Sequence, residues 1–170
     1  MPLTMYDLTI PTLLRGFEVL STYLPKASAF AREKGIEPAD LIQSRLAPDM
    51  LPFGAQIQRA SDKAKAGVAR LAVVDAPAFA DTETTFAELA ARIGKTTAFL
   101  RSVDRKSFDG SDARSVEIKF RSVGGVYSGE RYLMDILLPD FFFHVTTAHD
   151  ILRHRGLTIG KADYLARVTS

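Results

Sequence analysis

Apolar residues recur at intervals of three and four along most of this chain, and strict alternation occurs in one short stretch. From Pro11 to about Lys34 the stripe is Leu13, Phe17, Leu20, Leu24, Ala27 and Ala31, the signature of an amphipathic helix. Pro11 suits its first turn and Gly35 its end. Pro25 lies within the pattern and is expected to kink or divide the helix, because it removes a backbone donor and crowds the preceding turn. After a short turn at Pro38 to Ser44, a second stripe runs through Phe53, Ile57, Ala60, Ala64, Val68 and Leu71, with Asp49 before it and Pro52 near its first turn. Val73 to Ala80, containing Pro77, reads as a loop that crosses an end of the bundle.

The third stripe, Phe86, Leu89, Ile93, Thr96, Leu100 and Val103, opens on Thr85 with Glu88 three residues later, the spacing of a capping box. Val116, Ile118 and Phe120 then alternate with Ser115, Glu117, Lys119 and Arg121, and Gly124-Gly125 permits a tight reversal into Val126-Tyr127, which predicts a β-hairpin. A short helical segment, ERYLMDILL, runs into Pro139. The last helix follows, with Phe141, Val145, Ala148 and Leu152 on its apolar side and Gly156 at its end. The pattern predicts an all-α domain over residues 1–170, with helices near 11–34, 51–71, 84–103 and 139–155 and a hairpin near 115–128 before the last helix.

Composition narrows the function classes. At 170 residues and 46% hydrophobic the chain suffices for one compact core. Its net charge of +2 is spread without a block of like charges, so the basic, aromatic-interleaved stripe that a nucleic-acid partner requires is missing. Cysteine is absent, which excludes disulfides, thiolate nucleophiles and Cys-ligated metals and makes the cytoplasm the expected location. The N-terminal stretch lacks the basic region and cleavage site of a signal peptide, and no apolar run approaches the length of a membrane span.

All three histidines, His144, His149 and His154, fall in the stretch LPDFFFHVTTAHDILRHRG. A helix turns about 100° per residue, so spacings of five and five aim them in different directions and one helix cannot bring two to a metal. His144 lies beside Phe141 and Ala148 and should point into the bundle, with Asp140 one turn earlier to hold a ring nitrogen. That pair is a candidate acid–base unit; a buried histidine satisfied by a neighbour is the structural alternative. His154, between Arg153 and Arg155, suits the negative end of a helix dipole. Asp150, next to His149, faces Arg153 and His154 one turn on, which a surface ion pair explains as well as a site does, and the five-residue spacing rotates His149 and His154 toward the periphery. Tyr6, Asp49 and Gln56 are polar groups bordering other predicted core faces that could converge with His144 on a central cavity. Asp49 could equally serve as a helix cap. No phosphate loop, dinucleotide fingerprint or nucleophile elbow is present.

The segments MYDLTIPTLLRGFEVLS, RLAPDMLPF, DTETTFAELAARI and especially LPDFFFHVTTAHDILRHRG together resemble a mainly bacterial domain family of unknown function grouped with the DinB/YfiT-like four-helix bundles. The resemblance covers nearly the whole chain. It implies an up–down–down–up bundle with a long crossover between the second and third helices, and frequent dimerisation. Metal-binding members of that superfamily resemble one another in one histidine from the second helix and two from the last. Here Arg153 replaces one expected ligand, Asp150 stands near the other, and the second helix offers Gln56 and Gln58. No metal and no cofactor are therefore expected. Two readings follow. One is a metal-independent bundle that binds a small polar or anionic ligand through His144, Tyr6, Asp49, Gln56 and Asp140. The other is a non-catalytic homodimer built on exposed parts of the Phe141–Phe143 run and of the last helix, with a metal-dependent thiol-transferase-like enzyme as a further alternative that the resemblance brings in.

Overall fold

A computed structural model describes residues 3–119 and 124–165. Its elements are α1 (Met5–Lys34), α2 (Pro38–Ile42), α3 (Phe53–Ala72), α4 (Phe86–Ser102), β1 (Ser115–Ile118), β2 (Gly125–Ser128), α5 (Gly129–Tyr132), α6 (Leu138–His154) and α7 (Lys161–Leu165), with a 3-10 turn over Arg105–Phe108 and a π-helical turn over Leu133–Leu137. The long helices form the expected bundle, and side-chain contacts give its directions. Gly16 faces Phe141 and Tyr23 bonds His149, so α1 and α6 run the same way. Gln56 meets His144 and Gly67 meets Leu137, so α3 opposes α6. Phe53 packs on Phe86 and Ser61 bonds Thr96, so α4 runs alongside α3. The order is up–down–down–up.

Parallel α3 and α4 require the chain to return along the full length of the bundle. Correcting the expectation of a loop across one end, residues 73–85 traverse its side. Twenty helical residues span about 30 Å, and the thirteen residues of the crossover can reach about 43 Å when extended, so the span is within reach. Buried Arg92 on α4 holds this crossover. Its guanidinium pairs with Asp81 at 2.9 Å and Glu83 at 3.0 Å, donates to the Ala80 carbonyl at 3.1 Å, and reaches back to Asp62 on α3 at 2.9 Å. Lys65 donates to the Pro77 carbonyl at 3.0 Å and lies 3.8 Å from the Phe79 ring centroid. The crossover starts at Val73, a β-branched residue with φ 53° at the C-cap of α3, where left-handed geometry ordinarily calls for glycine.

Two boundaries correct the sequence reading of the first helix. It begins at Met5, because Thr4 and Asp7 form a complete capping box ahead of Pro11. It also continues undivided through Pro25. Pro25 and Ser21, whose carbonyl loses its usual partner, are both exposed, so water can take the unmade bond. The strands pair antiparallel with Ile118 opposite Gly125. Gly125 is therefore paired within β2, and Phe120 and Arg121 of the expected alternation lie outside the described residues.

The core is built by the inward stripes of α1, α3, α4 and α6, including fully buried Phe17, Phe53, Ile57, Leu89 and Phe141. Phe17 and Phe141 meet edge to face at 5.2 Å, and Gly16 makes room for them, since a Cβ there would lie 2.4 Å from the Phe141 ring. Among the described residues no helix is long and apolar enough to cross a membrane.

Candidate functional site

The helical phase that sets Phe141, Val145 and Ala148 in the core carries His144 into the seam between α6 and α3, where it is 8% exposed. Gln56 projects from α3 to meet it. The amide nitrogen of Gln56 donates to the Leu51 carbonyl at 2.9 Å, and its Oε1 lies 2.7 Å from Nδ1 of His144. A flipped amide would set two carbonyl oxygens against each other at Leu51, so Oε1 must be the atom facing the ring. That oxygen can only accept, hence Nδ1 carries a proton. The other ring nitrogen, Nε2, lies 3.3 Å from Oδ1 of Asp140, whose Oδ2 is 2.7 Å from the Lys63 ammonium. A continuous polar chain thus runs from the Leu51 carbonyl through Gln56, His144 and Asp140 to Lys63.

Asp140 and Lys63 bring this chain to the surface, with side chains 32% and 30% exposed. Burial opposes the ionisation of Asp140, but hydrogen bonds from His144 and Lys63 outweigh it and hold the carboxyl below its ordinary range. Asp140 is therefore a carboxylate at neutral pH, beside a ring whose proton on Nδ1 is fixed by the amide behind it. Such an arrangement can orient an imidazole and exchange a proton at Nε2. Phe143 stands edge-on to the His144 ring at 5.4 Å and is 57% exposed, forming an apolar lip.

Three of the five candidate residues, His144, Gln56 and Asp140, are brought together. Tyr6 is not. It packs edge to face on Phe108 at 5.5 Å and under the Arg105 guanidinium at 4.5 Å, eleven residues before Phe17, or about 16 Å along α1. Asp49 is exposed in the turn before α3, and the N-cap of that helix is Pro52 without a side-chain bond, so Asp49 does not serve as its cap. Lys63 was not anticipated, although its spacing of seven from Gln56 places both on one helix face.

His154 is exposed, as its spacing implies. His149 departs from expectation. It is half-buried, with Nδ1 2.7 Å from the hydroxyl of wholly buried Tyr23 and its ring against Tyr164 at 5.9 Å. Burial first, then the Asp163 carboxylate, keeps the Tyr23 phenol protonated well above its ordinary range. Among the described residues no group of three histidine, aspartate or glutamate side chains could hold a metal ion. Open clefts lie elsewhere. One of about 540 Å³ is lined by Leu14, Phe17, Glu18, Ser21, Thr22, Thr97 and Arg101, and another of about 400 Å³ opens by Leu3, Thr4, Phe108 and Glu130. His144 lines neither.

Fold and topology define a DinB-like helical bundle. A crystal structure of a DinB family member protein from Shewanella denitrificans superposes with a TM-score of 0.90 and 36% identity, covering 98% of this chain and 94% of that one. Residues 5–165 match the family described as Domain of unknown function (DUF1993), and the chain belongs to it. No curated protein matches.

Proposed function

We propose that this protein binds a small polar or anionic ligand at the surface mouth of the His144 cluster, between α3 and α6, without a metal. The observation that carries the reading is the fixed proton. Gln56, itself anchored on the Leu51 carbonyl, commits Nδ1 of a nearly buried imidazole and turns Nε2 toward an exposed carboxylate and ammonium. A ligand oxygen at this mouth would accept from the Lys63 ammonium and, whenever the ring carries a second proton, from Nε2–H, while a ligand hydroxyl or amine would donate to Asp140, or to Nε2 when that nitrogen is bare. The mouth, rather than a central cavity, is the proposed place because the polar chain ends there. A thermal-shift panel of metals, thiols and metabolites tests it. A ligand specific for the site raises the melting temperature of the wild type and leaves His144→Ala, still folded, unmoved. Equal shifts in both proteins, or none across the panel, would overturn the reading.

A second reading, a homodimer formed over the same mouth, is favoured by the exposure of Phe143 at 57% and Leu51 at 45%. Of the Phe141–Phe143 run, Phe141 is fully buried and Phe142 half-buried, so Phe143 is the aromatic available for such a contact. Sedimentation of Phe143→Glu against the wild type decides it. A wild-type dimer that the substitution dissociates supports the reading, and a monomeric wild type removes it.

A further inference from the structure

The α1-facing side of α6 carries a second polar cluster that the His144 site does not use. Tyr23, Lys26 and Arg15 project from α1, His149 and Thr146 from α6, and across them lies the terminal helix α7. Asp163 of α7 accepts from the Lys26 ammonium at 2.6 Å through Oδ1 and from the Gly160 backbone N–H at 2.9 Å through Oδ2. Tyr164 sets its ring edge-on to His149, its hydroxyl 3.1 Å from that of Thr146, and its carbonyl 3.1 Å from the Arg15 guanidinium. Helix α7 thus covers an ammonium, a guanidinium, an imidazole and a phenol: its carboxylate pairs with the ammonium, Tyr164 meets the guanidinium and the imidazole, and the imidazole bonds the phenol. Asp150 is the opposing charge nearby, close enough to act on Tyr23.

The attachment of α7 differs from that of the chain just before it. Leu157 and Ile159 are buried, whereas no residue of α7 is, and its Lys26–Asp163 pair is 45% and 31% exposed. A five-residue helix does not persist without its contacts, and an exposed ion pair holds it weakly. Gly160, between the buried anchor and α7, has open space where a Cβ would stand, and as a glycine it is the most conformationally permissive point of the connection.

We propose that α7 is a displaceable strap over an oxyanion site formed by Lys26, Arg15, His149 and Tyr23, in which Asp163 holds the Lys26 position in place of an external ligand and Tyr164 covers Arg15 and His149. The ligand class is a small anion with at least two charged oxygens, such as a phosphate or a dicarboxylate, that competes with the Asp163 carboxylate. This site is separate from the mouth at His144 and stands or falls independently of it.

Titrations of inorganic phosphate and of succinate into the full chain test the idea, read at the His149 ring resonances and by amide exchange of residues 161–165. In the wild type, a bound anion should speed exchange across 161–165. Asp163→Asn, which empties the site of its internal anion, should bind at least threefold more tightly, and Lys26→Ala should lose binding although its strap is also released. Whichever anion prevails identifies the source as phosphate or carboxylate. The proposal is overturned by equal affinity in the wild type and Asp163→Asn, by binding that Lys26→Ala retains, or by His149 resonances that neither anion moves in Asp163→Asn.

Discussion

Replacing Gln56 with leucine probes the polar chain at its innermost link. The substitution nearly conserves volume, so it leaves little cavity, but it removes the acceptor of the His144 Nδ1–H and the donor to Leu51. Leu51 is 45% exposed, and water can satisfy its carbonyl. The imidazole N–H, on a residue 8% exposed, has no such substitute, and an unsatisfied buried donor costs about 1–3 kcal/mol. A destabilisation of about 2 kcal/mol follows, equivalent to a fall in melting temperature of about 4–8 °C for a domain of this size. The control is His144→Phe. In that background the orphaned donor no longer exists, so Gln56→Leu should cost under about 0.5 kcal/mol, leaving a coupling energy of about 1.5 kcal/mol. Urea unfolding of the four proteins measures it. Equal costs of Gln56→Leu in both backgrounds would refute the claim that the amide serves the ring.

Other consequences are as direct. Val73→Gly should stabilise the protein by about 1 kcal/mol, since it relieves left-handed strain at an exposed C-cap, partly offset by the larger entropy of glycine in the unfolded chain; a loss of stability in urea would contradict the strain. Arg92→Met should cost about 3 kcal/mol, as for breaking a buried ion pair, and should open residues 73–85 to limited proteolysis, whereas an intact crossover would show that Lys65 alone holds it. The folded pKa of Asp140 lies below its ordinary value of 3.8, so its stabilising share is present above that value and is lost as pH falls through the folded one. Stability of the wild type should therefore decline more steeply below pH 4 than that of Asp140→Asn, and parallel urea midpoints at neutral and acid pH would contradict the pairing.

The features that were legible in the sequence are those written in local spacing. The Thr85–Glu88 capping box placed the start of α4, the three–four stripes located the long helices, and the alternation at 115–118 identified the first strand. The phase of His144 beside Phe141 pointed it into the bundle, and Gln56, at the border of the α3 stripe, met it. What escaped depended on tertiary height or on competition between signals. Pro11 is a strong mark of a first turn, and it masked the Thr4–Asp7 box just ahead of it. Tyr6 borders a core face as Gln56 does, but nothing in a helical phase states how far up a bundle a residue stands, and Asp49 lies in an exposed turn that no helical phase governs. Arg92 adjoins Ile93 on the stripe of α4, and only the side-running crossover brings Asp81 and Glu83 to it. The enclosure of His149 is not written in its own helix, because Tyr23 and Tyr164, which enclose it, come from α1 and from a short helix with no stripe of its own.

The measurement that most directly tests the proposed site is long-range proton–nitrogen NMR of the His144 ring during titration of a ligand found by the thermal-shift panel. The account predicts that Nδ1 stays protonated throughout, held by Gln56, while the Nε2 resonance moves with saturation and does so only when Asp140 and Lys63 are intact. A neutral ring protonated on Nε2 alone, or an Nε2 signal indifferent to a ligand that stabilises the fold, would contradict it.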